Sequence, residues 1–189
     1  FAQQVDILSY QTYSDVVYFA EDDYLYSPGS IQKFYYHFIK DKAEFATLYY
    51  SPDYQHSSIH HYSTQEHEYD HQKYWYFWST TMTFFVKKEA LLYYQNWLLS
   101  YSAWNHDFSM WISITKLWIF NPIKPIIYLC RDLWSLKLRW YIWYKCHINV
   151  VCIKKAQLMA PLKSWATHID KDWISSWIDW QCIWDNITT

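Results

Sequence analysis

The chain has 189 residues, enough for one domain with a sizeable core. Its formal net charge of -2 at pH 7 excludes a strong overall preference for polyanions. No run of about 18 apolar residues is present, so no membrane span is predicted.

Glycine occurs once, at Gly29, where average usage of about 7% would give roughly 13. Tight turns with positive φ must therefore fall on Asn, Asp or His, or be avoided. The cysteines (Cys130, Cys146, Cys152, Cys182) form no CxxC pair. They read as free thiols in a reducing, cytoplasmic compartment. Charge is uneven: residues 1–130 carry 8 Lys/Arg and 13 Asp/Glu, residues 131–189 carry 8 and 5.

Residues 2–13 predict a weak helix with Val5 and Leu8 on one face. DVVYFA (15–20) predicts a buried strand, and Ser27-Pro28-Gly29-Ser30 a turn. Ser30 is placed to cap a helix reaching Lys40, with Ile31, Phe34 and Phe38 as its core stripe. FATLYY (45–50) predicts a second strand. The order helix, strand, helix, strand points to an α/β layer architecture in a single domain. Residues 51–73 hold five of the nine histidines and predict a solvated loop, because no metal-ligand spacing repeats. Residues 73–86 predict strand around a polar STT centre. Helices are predicted over 87–101 and 105–116, followed by an extended NPIKPIIYL. Residues 131–155 interleave six Lys/Arg with Trp and Tyr. That pattern suits an amphipathic insertion packed on the domain, or a peripheral membrane contact, before a nucleic-acid surface. DKDWISSWIDWQCIW predicts a Trp-rich helix.

Glu21-Asp22-Asp23 stands where the first predicted strand ends. Three adjacent carboxylates repel one another unless a cation or a solvated turn offsets them. In an open α/β sheet, ligands bind beyond the carboxyl ends of strands. There a carboxylate can share Mg²⁺ with substrate phosphates. A solvated acidic turn is the plainer alternative.

Five pieces in order carry a resemblance: VVYFAEDDYLYSPGS (16–30), ATLYYSPDY (46–54), WSTTMTF (78–84), HDFSMW (106–111) and SWATHID (164–170) with IDW (178–180). Together they resemble a bacterial and viral group of GT-A type glycosyltransferases related to the family-2 enzymes. The resemblance implies a partial GT-A (Rossmann-like) domain. It implies transfer of a sugar from a nucleotide-sugar donor to a glycan or other hydroxyl acceptor, with inversion, using Mn²⁺ or Mg²⁺.

It also implies roles. Asp23 looks like the metal ligand of a DxD-type element, with Asp22 beside the donor's ribose or diphosphate and Glu21 in support. His168 is similar to a late histidine that touches the metal or diphosphate; a hydrogen-bonded core histidine is its plain alternative. Asp107 looks like the base that deprotonates the acceptor, against a simple helix N-terminal charge. Thr80, Thr81 and Thr83 are expected to line the cleft floor.

The chain departs from that group twice. Residues 117–159 replace a short connection, so 131–155 reads as an insertion. Only 20 residues precede Glu21, so the base-binding strands of the fold are expected to be absent. The rival expectation is a non-catalytic binding or structural module that keeps the fold remnant, associated with a membrane surface. No nucleic-acid partner is expected.

Overall fold

The computed structural model describes residues 1–52, 54, 66–103, 105–116, 144 and 153–188. The piece 121–129, most of 131–155, and His56, His60 and His61 lie outside the described residues.

The strands are Val16–Phe19 (β1), Tyr24–Tyr26 (β2), Phe45–Ala46 (β3), Glu66–Tyr69 (β4), Gln72–Phe77 (β5), Phe84–Lys87 (β6), Leu158–Pro161 (β7) and Ala166–His168 (β8). The helices are Ala2–Tyr10 (α1), Ser30–Lys40 (α2), Lys88–Ser102 (α3), Asp107–Thr115 (α4) and Trp180–Thr188 (α5), with a 3-10 turn at Lys171–Trp173.

Side-chain alternation builds two cores from one sheet. Val17, Phe19, Phe45, Phe84, Val86 and Leu158 share a core with Val5, Leu91 and Trp111 of the helices α1, α3 and α4. Their neighbours Ala46, Tyr74, Phe85 and Met159 share the opposite core with Phe34 and Phe38 of α2. Both faces are thus covered, which explains why β6 reads as a continuous apolar run. The result is an α/β fold.

The six-stranded sheet has the order β1-β6-β3-β7-β5-β4. Only β3 and β7 pair in parallel; the other four neighbour pairs are antiparallel. Consequently β1, β3 and β7 point the same way. The carboxyl end of β1 lies beside the amino end of β6, with Phe19 opposite Phe84. A second, two-stranded sheet pairs β2 with β8. The α1 carbonyl end is held by Lys88, whose ammonium donates to the carbonyls of Leu8 at 2.7 Å and Gln11 at 2.8 Å.

Several expectations need correction. Ser30 is the first helical residue of α2, not its cap; Gly29 takes the cap position with φ 72°. Ile31 is 42% exposed and lies off the core stripe, its place taken by His37 at 1%. FATLYY pairs as strand only at Phe45–Ala46, because Thr47 onward turns toward β8. Part of the expected 51–73 loop is the β4–β5 hairpin. The C-terminal Trp-rich piece is interrupted: Ile174 is extended and Trp177 has φ 89°, so the helix starts only at Trp180.

The β4–β5 hairpin bears out the consequence of glycine depletion. Its turn is Asp70-His71, with φ 48° and 61°, the left-handed pair that a two-residue hairpin needs. Asp70 is kept there by His37, whose Nε2 lies 3.0 Å from its carboxylate. His71 is 98% exposed on its side chain and contributes only a 3.6 Å contact to Glu68. Replacing His71 by Gly should therefore stabilise the chain by about 0.5–1 kcal/mol, relief of left-handed strain exceeding the added unfolded-state entropy. Urea unfolding of His71→Gly checks this; a loss of stability would show that the turn is not strained at His71.

Candidate functional site

The acidic triplet forms the turn between β1 and β2. Glu21 is drawn inward: its backbone N–H donates to Thr83 Oγ1 at 3.1 Å, and that hydroxyl lies 3.3 Å from Glu21 Oε2. Thr83 is fully buried and its own carbonyl accepts from Thr47 Oγ1 at 3.1 Å. The segments after β1 and β3 are therefore tied to the segment before β6. Tyr24 continues the seam, donating to Thr81 Oγ1 at 2.9 Å.

Asp23 meets the other end of the chain. The β2–β8 register sets Tyr24 opposite His168, and Ile169 N–H donates to the Asp23 carbonyl at 2.9 Å. His168 Nε2 then lies 3.0 Å from Asp23 Oδ2. Asp170 N–H donates to His168 Nδ1 at 3.0 Å. Since Nδ1 accepts, the ring proton sits on Nε2 and is donated to Asp23.

Asp107 opens α4. Its Oδ1 accepts from Phe108 N–H at 2.6 Å and lies 2.6 Å from His106 Nδ1. Helix α4 is fastened to the connection before β6: Trp111 Nε1 donates to the Thr81 carbonyl at 3.3 Å, and Thr115 Oγ1 to the Trp78 carbonyl at 2.8 Å. Its remaining residues, 109–115, are buried, so the helix position is fixed by packing on all sides.

These groups share one electrostatic neighbourhood. Burial raises the proton affinity of Glu21, and the carboxylates of Asp23 and Asp107 raise it further, against the lowering influence of Thr83 and His168. Asp23 and His168 are thus paired beside Glu21, and Asp107 is near enough to act on Glu21. Asp22 stands apart, exposed at the tip of the turn.

Asp23 Oδ1 is buried without a hydrogen-bond partner. An orphaned carboxylate oxygen is costly unless something electropositive lies against it, and a divalent cation is such a group. Among the described residues no three His, Cys, Asp or Glu side chains converge as a metal-binding group. A cation held by Asp23 would therefore take most of its ligands from substrate and water, as Mg²⁺ usually does. His168 does not fit as a direct ligand. Ligating histidines donate their second N–H, whereas His168 accepts at Nδ1 and is protonated at Nε2. Its geometry is that of a donor orienting the Asp23 carboxylate.

Thr83 is the residue whose part exceeds the expectation, since it holds both ends of Glu21. Its only sequence signal was a polar residue among Phe84, Phe85 and Val86. Comparison with family models, curated proteins and solved structures finds no match to the chain. Among the described residues no helix is long and apolar enough to cross a membrane.

Glu21 makes stability pH-dependent. Its raised proton affinity means that the folded chain still holds a proton the unfolded chain has released. Stability from this group is therefore full below the ordinary glutamate range and is lost as pH rises through the folded-state value. Glu21→Gln should be more stable than the parent at pH 7, the gap closing on acidification toward pH 4. Parallel urea curves of the two chains at both pH values test it; a pH-independent gap would contradict the assignment.

Proposed function

We propose that the chain is a metal-dependent glycosyltransferase domain of GT-A type, moving a sugar from a nucleotide-sugar donor to a hydroxyl acceptor with inversion. The observation that carries this reading is the pairing of Asp23 with His168, from opposite ends of the chain, beside the Thr83-held Glu21 beyond the carboxyl end of β1. A solvated acidic turn would need neither the His168 contact nor the buried Thr83 clamp.

Asp23 would hold Mn²⁺ or Mg²⁺ together with donor diphosphate oxygens, and the cation would supply charge neutralisation at the departing diphosphate. His168 holds Asp23 Oδ2 and so fixes the orientation of the carboxylate. Thr83 fixes Glu21, which sets the local negative potential behind Asp23. Exposed Asp22 remains free to meet a ribose or phosphate-bound water from solvent. Asp107 removes the acceptor proton through Oδ2, since Oδ1 is taken by Phe108 and His106. Attack from the face opposite the leaving group then inverts the anomeric centre.

The test is manganese-dependent hydrolysis and transfer with UDP- and GDP-sugars. Asp23→Ala should abolish both. Asp107→Asn should cut transfer by about 10²–10⁴-fold. His168→Gln, which keeps a donor, should retain more activity than His168→Ala. Wild-type transfer in Asp107→Asn would remove the base from Asp107. Wild-type turnover in Asp23→Ala would overturn the whole reading.

A further inference from the structure

Residues 169–179 lead from β8 to α5 and carry two tryptophans that the fold does not use. Trp173 is 39% and Trp177 63% exposed. Among the described residues neither ring makes a hydrogen bond or a ring contact. Trp180, which opens α5, shows the ordinary alternative. It is 6% exposed, and its Nε1 donates to the Ser175 carbonyl at 3.0 Å. A tryptophan left in water forfeits the large area that it could bury, and its N–H has only solvent to meet.

The connection that carries the two rings is nonetheless fixed. The Tyr49 hydroxyl donates to the Trp173 carbonyl at 2.7 Å. Ser175, buried and between the two tryptophans in sequence, donates its N–H to Thr167 Oγ1 at 2.8 Å and its hydroxyl to the Ala166 carbonyl at 3.0 Å. The backbone under both rings is therefore set before a ligand arrives, which lowers the cost of ordering on binding. Trp177 is held at φ 89°, a left-handed angle that penalises a bulky side chain. The strain secures no internal contact for the ring, and strain of this kind gathers at ligand-binding positions.

The surrounding charges select the ligand. Asp170, Asp172 and Asp179 are exposed along the same connection, against one exposed cation, Lys171. An anionic ligand, such as nucleic acid or an acidic lipid surface, would be repelled. A lipid interface that took in the tryptophans would also have to take in carboxylates, which is costly. A neutral polyhydroxyl compound meets neither cost. Its hydroxyls donate to carboxylates and accept from indole N–H groups, and its C–H faces lie against the electron-rich faces of the rings.

We infer that this surface binds a neutral glycan, with sugar rings against Trp177 and Trp173 and hydroxyls on Asp170 and Asp172. The site is read from these side chains alone and holds whether or not the sugar-transfer reading does.

The probes are cellohexaose, maltohexaose and the hexasaccharide of N-acetylglucosamine. They are titrated into the full chain without metal or nucleotide-sugar, so that sugar transfer does not enter the result. At least one should bind and shift the Nε1–H resonances of Trp173 and Trp177, while a sulfated heparin oligosaccharide and phosphatidylcholine vesicles leave them in place. Trp177→Gly should weaken that binding about tenfold or more, with its ligand-free Tm unchanged or higher because the strain is relieved. Trp177→Tyr, which keeps a ring, should bind better than Trp177→Gly. The resonance shifts are read on the parent chain and do not depend on a variant folding. The inference is overturned if no neutral hexasaccharide moves those resonances, if heparin or the vesicles move them as strongly, or if Trp177→Gly binds as the parent does.

Discussion

The register of β2 against β8 is the constraint on which the candidate site depends. It pairs Tyr24 with His168, residues from opposite ends of the chain, and thereby sets the imidazole against Asp23. Three residues on each strand make that small sheet, too few to be stable alone. Its stability comes from outside: Trp165 N–H and Ala166 N–H both reach the Leu48 carbonyl, and Ser175 donates its N–H to Thr167 Oγ1 at 2.8 Å. A slip by one residue would send His168 to the other face and Thr167 into its place. The backbone bond from Ile169 to Asp23 makes such a slip costly, because it would leave a carbonyl at the site unpaired.

With one glycine available, the chain distributes its left-handed positions among residues that tolerate them unequally. Asp70 and His71 share the hairpin turn, Lys116 ends α4 at φ 57°, and Trp177 sits at φ 89°. Asp and His bear such angles at less cost than a bulky tryptophan. Gly29, the one residue free of the penalty, stands at the start of α2, where its φ of 72° would strain any residue with a capping side chain. The fold therefore keeps an open helix terminus at the position where it has least glycine to spare.

Much of the scaffold was legible because burial imposes period. The alternation in VVYF and the apolar run FFV revealed β1 and β6, and Phe34 and Phe38 revealed the inner face of α2. Pair order was not legible: nothing in FATLYY states that only Phe45–Ala46 will pair as strand, or that β3 and β7 will pair in parallel. Ser30 misled because serine at a turn usually caps, and a glycine just before it removes the need for that reading only once φ at Gly29 is known. For the site, the types and order of Glu21, Asp23, Asp107 and His168 were visible in the chain. Their juxtaposition is long-range and was not. The direction of the His168 hydrogen bonds, which decides between ligand and orienting donor, depends on one backbone N–H at Asp170 that no side-chain pattern encodes.

The acidic neighbourhood works against folding. Burial raises the cost of ionising Glu21, and the carboxylates of Asp23 and Asp107 add to it. Local physics would favour moving Glu21 to solvent, as Asp22 already is. Instead the chain commits a fully buried threonine to hold Glu21 by both its N–H and its carboxylate, and a second threonine, Thr47, to hold the first. Polar side chains placed inside a core of phenylalanines give up packing that Val would supply at the same size. A turn with no task beyond reversing the chain would not require that loss. The clamp is better understood as the means by which Glu21, and through it the potential around Asp23, is kept in place against the electrostatics that would expel it.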